Sequence, residues 1–382
     1  MKHDINSFTW TVTGRPHATG LSNATGPSNA TSASSASGES GITGAEVPCA
    51  GGRRSRMGGL PLGFGMLVFS FLLATAWPVH ARAEKKVVVC TTGMIGDVAR
   101  QIGGDHVAVT NIIGEGIDPH LYRPTRSDLA KLLRADLVLY NGLLLEGRMS
   151  SALDKISSKK RVRAVGDAID HDRLIVPDGQ DGHPDPHIWM DVALWKRASE
   201  LIRDELVRLL PSKAEDFKAR CAAYAKELDR LDTYARHAVE SVPKQQRLLV
   251  TAHDAFHYMG RAYGFDVRGI QGISTESEAG IADVNALVDL LVERNVEAIF
   301  VETSVSDKNV RALIEGAAAR GHDVSIGGTL FSDAMGAART YEGTYVGMID
   351  HNVTVIAEAL GGKVPRKGLN ERLTRSHGDE QE

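Results

Sequence analysis

From Lys85 onward the chain alternates between short β-branched runs and longer stretches whose apolar residues recur every three or four positions. KKVVVCTT (85–92), VAVTNII (107–113) and ADLVLYNG (135–142) are strand-like, and between them MIGDVARQIGG and TRSDLAKLLRA carry helical spacing. The alternation returns after residue 246. RLLVTAH, VRGIQGI, AIFVETS and DVSIGGTLF alternate there with AFHYMGRAYGF, GIADVNALVDLLVERN and SDKNVRALIEGAAARGH. This repetition predicts an α/β fold of two lobes, each a mostly parallel sheet flanked by helices.

Between the two halves the pattern changes. In PSKAEDFKARCAAYAKELDRLDTYARHAVESVP, Phe217, Cys221, Tyr224, Leu228, Leu231, Ala235, Val239 and Val242 follow three- and four-residue steps. Pro211 suits a first helical turn and Pro243 stops the run. The spacing predicts one helix of about 30 residues, ~45 Å long at 1.5 Å per residue. A single stiff helix joining two lobes restricts how far they can hinge.

The first 83 residues are of another kind. Residues 1–52 are rich in Ser, Thr, Ala and Gly with no apolar periodicity, and read as a disordered extension. Residues 53–83 read as a secretory signal: Arg53, Arg54 and Arg56 precede an apolar core from Leu60 to Trp77, and Ala81-Arg82-Ala83 supplies a small-x-small site with cleavage after Ala83. A retained membrane anchor is the alternative, since the apolar run is nearly long enough to span. The expected organisation is then a first lobe over 84–210, a linking helix over 211–242, a second lobe over 243–366 and a polar tail over 367–382.

Without its first 83 residues the chain holds 38 Lys and Arg against 45 Asp and Glu, a net charge of −7. An acidic exported chain with no basic run is a poor match for nucleic acid. Cys90 falls in a strand-like run and Cys221 in a helical one, so two buried thiols are expected rather than a disulfide. Neither follows a small residue as a lipid-attachment cysteine would, and the expectation is a soluble monomer.

The candidate chemistry lies in histidines. Asp-Pro-His is written twice, at 118–120 and 185–187. Proline fixes its own φ and biases the residue before it towards extended backbone, so each histidine leaves a stiff loop. His253 closes RLLVTAH, at the strand end where parallel sheets present ligands, and Asp333 follows the last strand-like run. Three imidazoles and a carboxylate fill a shell for a divalent transition metal. His106, His171, His237, His322, His351 and His377 read as surface or core. His253 and His257 also form an HxxxH pair, but Asp254 stands where a metalloprotease needs glutamate, and His257 is expected on a helix beyond the site.

Five motifs, GxDPHxYRPT, DPHIWMD, TAHDAFxYMGRAYGF, GIQGIST and GGTLFSDAMG…EGTYVGMIDHN, run in order from Glu84 to about Gly362. Together they resemble the zinc and manganese solute-binding proteins of ABC importers, the TroA-like group. The resemblance implies a C-clamp of two α/β lobes on a long backbone helix. It also implies metal ligands at His120, His187, His253 and Asp333, and an ABC-type membrane permease with its ATPase as partner. The long His-rich loop of many zinc-dedicated members is reduced here to His171 and His183. The glutamate of many manganese-dedicated members is replaced by His253. The cargo implied is one Zn2+ or Mn2+, with Fe2+ also compatible. An exported metal-dependent hydrolase on the same ligands is the competing reading; it needs an open coordination position, which four protein ligands leave little room for.

Overall fold

The structure is a computed structural model and describes residues 85–177 and 182–374, all within one compact unit spanning Val79–Glu382. The 1–52 extension, the 53–83 export segment with its Ala83 site, and His377 in the polar tail lie outside the described residues.

The first lobe carries β1 (Lys86–Cys90), α1 (Gly93–Gly103), β2 (Val107–Asn111), α2 (Arg126–Arg134), β3 (Leu137–Tyr140), α3 (Ser150–Ser157), β4 (Arg161–Ala164) and α4 (Val192–Leu209). Its four strands are all parallel, in the order β2-β1-β3-β4. That order places β1 and β3 inside the sheet, and their cores Val88, Val89, Cys90, Leu137, Val138 and Leu139 are buried. Local chemistry fixes the helix starts. Thr125 and Asp128 form a reciprocal capping box on α2, and the Asp191 carboxylate accepts from the Ala193 and Leu194 amides to start α4.

Pro211–Lys213 make a 3-10 turn, and α5 (Ala214–Glu240) follows with 27 residues, ~40 Å of helix. It is slightly shorter than the 211–242 expected, because the Pro211 turn winds more tightly and Ser241–Val242 leave the helix before Pro243. Every apolar position of the expected stripe is buried, and the helix packs on α1, α4, α6 and α9.

The second lobe holds β5 (Leu248–His253), α6 (His257–Tyr263), β6 (Asp266–Gln271), α7 (Ile281–Glu293), β7 (Ala298–Glu302), α8 (Lys308–Ala318), β8 (Ser325–Leu330) and α9 (Tyr345–Ala359). The strands form two parallel pairs, β5–β6 and β7–β8, with β5 lying beside β7. The β7–β8 register slips between Ile299 and Phe300, opposite Gly327 and Gly328.

Each lobe has an apolar cluster of its own, around Val89, Leu132 and Val138 in the first and Val250, Ile299 and Leu313 in the second, and the two lobes also share a third. The shared cluster runs from Val88, Leu139 and Trp195 through Leu228 and Leu231 of α5 to Phe256, Phe300, Tyr345 and Ile349. Trp195 stacks on Tyr345 with ring centroids 5.3 Å apart, and the Tyr345 amide donates to Asp97 Oδ2 of α1 at 3.0 Å. Cys90 and Cys221 are both buried free thiols, and burial pushes Cys90 up to about 12. A thiol that hard to ionise is inert.

Candidate metal centre

Each of the four candidate residues is delivered by a strand end or a turn. His253 is the last residue of β5, and Asp333 sits three residues beyond β8. His120 lies in the loop between β2 and α2, and His187 opens the 3-10 turn Ile188–Met190. Two come from before α5 and two from after it, and they meet between the lobes.

His187 Nε2 lies 3.3 Å from His120 Nε2 and 3.3 Å from Asp333 Oδ1. His253 Nε2 is 3.3 Å and His120 Nε2 3.8 Å from Asp333 Oδ2. All four donor atoms fall within 4.8 Å of one another. Ligand atoms ~2.0–2.1 Å from a tetrahedral zinc lie roughly 3.4 Å apart, so these separations match one ion's shell. The carboxylate supplies the negative charge. His253 Nε2 and both Asp333 oxygens are buried and, apart from the 3.3–3.8 Å approaches within the cluster itself, have no hydrogen-bond partner. Orphaned buried donors and acceptors are costly, and an ion at their centre would satisfy all three.

The opposite edges of two rings are braced. His187 Nδ1 is 2.7 Å from Asp185 Oδ1, and His253 Nδ1 is 2.6 Å from Glu302 Oε2. Both carboxylates also accept the backbone amide of the histidine they hold. A carboxylate on Nδ1 fixes the tautomer that leaves Nε2 for a metal and raises its basicity. Burial alone would push both imidazoles down. The Asp185 carboxylate, then Asp333, instead holds His187 up at about 9, and Glu302 with Asp333 holds His253 well above its usual value. Burial pushes Asp333 up, but the His253 and His187 charges outweigh it and keep the carboxyl well below the usual range. His120 has no such brace. Burial pushes it down to about 3.

The other histidines stay apart from this cluster. His106 pairs with Asp216, His322 reaches the Val296 carbonyl and His351 the Thr329 carbonyl. His257 is nearer than the sequence suggested. It opens α6 as expected, but its Nδ1 is 3.3 Å from Asp185 Oδ2, so it shares the carboxylate that braces His187. The braces themselves were not singled out in the sequence. Asp185 stood in plain view within the second Asp-Pro-His, whereas Glu302 ends a strand-like run with no motif around it. A cavity of about 240 Å3 reaches Asp333 between Thr92, Asn111 and Met335.

Residues 88–359 match the family described as the zinc-uptake complex component A, periplasmic. The manganese-binding lipoprotein MntA of Bacillus subtilis (strain 168) is 47% identical over 273 residues, 72% of this chain and 89% of its own. The zinc-binding protein TroA of Treponema pallidum (strain Nichols) is 45% identical over 308 residues, 80% of this chain and 99% of its own. A solved structure of the T. pallidum periplasmic zinc-binding protein superposes with a TM-score of 0.71 at 46% identity, covering 72% of this chain and 99% of that one. On fold, order of elements and extent of match, the chain belongs to the periplasmic zinc-uptake component A family.

Proposed function

We propose that this chain captures one divalent transition metal ion outside the cytoplasm, through His120, His187, His253 and Asp333, and delivers it to the permease of an ABC importer. It is a solute-binding component of such an importer, and the family's role is binding, not catalysis. The observation that carries the ligand assignment is the set of 3.3–3.8 Å separations around three orphaned polar atoms. Four protein donors close the shell, which suits cargo held for transfer better than a metal that must activate water.

Three imidazoles and one carboxylate suit zinc and also accept manganese, and the relatives' names divide between the two metals. Export by residues 53–83 with cleavage after Ala83 supplies the location, and the mature chain acts as a monomer of two lobes, 84–210 and 243–366, on the linking helix. Titration of the metal-free mature protein with Zn2+ or Mn2+ tests the reading. Saturation at one equivalent per chain, lost in Asp333→Ala, supports it. Tight uptake of several equivalents would place collection at His171 and His183 instead.

A further inference from the structure

The four proposed ligands are not held alike, and the odd one is His120. His187 and His253 are fully buried, with Nδ1 bound to a carboxylate. His120 is the most exposed of the four at 4%, and among the described residues no side chain bonds its Nδ1. What holds it is its backbone: the His120 amide donates to Asp118 Oδ1 at 2.8 Å. The second oxygen of Asp118 is taken from the opposite lobe, by the Thr275 hydroxyl at 2.5 Å. Thr275 is 9% exposed, and the next residue reaches the first lobe too, Glu276 Oε1 accepting from Arg148 Nε at 2.7 Å. The segment Ser274–Glu278 follows β6 and thus crosses the cleft to grip the loop that carries His120.

We propose that Thr275 is a positioning residue for the metal site, holding His120 in the coordination shell through Asp118, and that His120 is the ligand that moves when metal leaves. The reasoning rests on which restraints survive when the lobes part at this edge. His187 keeps Asp185 from its own lobe, and His253 keeps Glu302 from its own. Asp185 is also tied to the other lobe, by His257 Nδ1 and the Tyr258 hydroxyl, but its own bond to the His187 ring outlasts that tie. His120 has no ring brace, and its loop is left without a restraint on the imidazole once Thr275 lets go. A charge-assisted hydrogen bond is among the stronger polar contacts, but it is one bond. Breaking it frees the 116–121 loop, where Gly116 adopts φ 62, and lets the imidazole swing out without disturbing the other three ligands. The strap then sets how long the ion stays, while the remaining ligands set most of how tightly it is held.

The inference depends on the metal-binding reading, and the two fail separately. Zinc dissociation from the loaded mature protein is followed by stopped flow into excess chelator, for the parent, Thr275→Val and Thr275→Ser. Thr275→Val keeps the shape and removes the donor; it is expected to speed release about tenfold while the association rate and the melting temperature of the metal-free protein stay near the parent's. Thr275→Ser restores the donor and is expected to restore slow release. A parent that binds no zinc overturns the metal-binding reading itself. A parent that binds zinc, with Thr275→Val releasing it at the parental rate, overturns the strap and points to exit through the cavity beside Asp333. Slow release restored by neither residue identity nor donor, with Ser as fast as Val, also overturns it.

Discussion

The same tripeptide, Asp-Pro-His, builds two loops of this site, and the two are wired differently. In both, the aspartate accepts the amide of the histidine two residues on, at 2.8 Å in Asp118–His120 and 2.9 Å in Asp185–His187. This local turn, and not proline stiffness alone, is why the motif recurs. The remaining aspartate contacts diverge. Asp185 turns back on the ring of its own histidine and shares its other oxygen with His257. Asp118 spends its other oxygen on Thr275 across the cleft. Both loops reach across the cleft, but only the Asp185 loop also holds the ring of its histidine. The Asp118 loop holds its histidine by the backbone amide alone.

Removing what both loops converge on gives the largest effect. Asp333 is the sole anionic member of the proposed shell, and Asp333→Ala would leave three neutral imidazoles around a dication. Since changing an outer partner costs roughly 10–100-fold in metal affinity, losing this ligand is expected to cost at least about 100-fold in a chelator-competition titration. The metal-induced rise in melting temperature should shrink with it, while the metal-free protein stays folded, His187 and His253 shedding protons that Asp333 no longer favours. Retained affinity would mean the loops do not share an ion.

Asp185→Asn separates the two loops. It keeps an acceptor for the His187 amide but removes the charge on the imidazole. We expect roughly a 10–100-fold loss of equilibrium affinity, carried mainly by weaker holding rather than by slower uptake. Asp185→Asn should also lower the number of protons released on metal binding, because the charge that holds His187 up is gone, whereas Thr275→Val should leave that number unchanged. The same proton count in both would erase the distinction between the loops. His257→Ala should move affinity less than Asp185→Asn, and in the same direction, because it acts on the same carboxylate.

Protons sharpen the comparison further. His187, held at about 9, and His253, held well above its usual value, carry protons at neutral pH in the metal-free protein; His120, pushed down to about 3, does not. A metal must displace the first two and none from the third. Calorimetry in buffers of differing ionisation enthalpy should therefore find about two protons released per ion near pH 7, and affinity should fall as pH is lowered. The folded-state value of His187 is raised, so its contribution to metal-free stability is full below the unfolded value of ~6.5 and is lost as pH rises through about 9. Metal-free protein should accordingly soften in mild alkali while metal binding strengthens. Release of no protons would contradict the braced pair.

The smallest effect belongs to the outer edge of the strap. Arg148 and Glu276 are a partly exposed ion pair, of a kind typically worth about 0–1 kcal/mol. Glu276→Gln should speed zinc release only a few-fold, and raised salt should abolish that difference.

Much of this was legible in the chain, for reasons that also explain the gaps. The stripe from Phe217 to Val239 was readable because α5 buries one face and exposes the other. α9 offers no such contrast: from Tyr345 to Ile349 every residue is buried, so helical periodicity is absent from its sequence and it was reached only through the GTYVGMIDHN motif. α4 does carry a legible stripe, in Val192, Trp195, Ile202 and Leu206, beneath the Asp191 cap. The proposed ligands, His120, His187, His253 and Asp333, stand at strand ends and repeated turns, where local grammar marks them. Glu302 and Thr275 are defined by what lies across a sheet or a cleft, and no local pattern announces a partner 49 or 157 residues away.

The central claim is that one ion sits where the two loops and the second lobe meet. Its most direct test is a crystal structure of the zinc-loaded mature protein, with anomalous scattering measured on both sides of the zinc edge. The account predicts one strong anomalous peak per chain, ~2.0–2.2 Å from Nε2 of His120, His187 and His253 and from the carboxylate of Asp333. A principal peak at His171 and His183, or at His253 and His257 without Asp333, would contradict it.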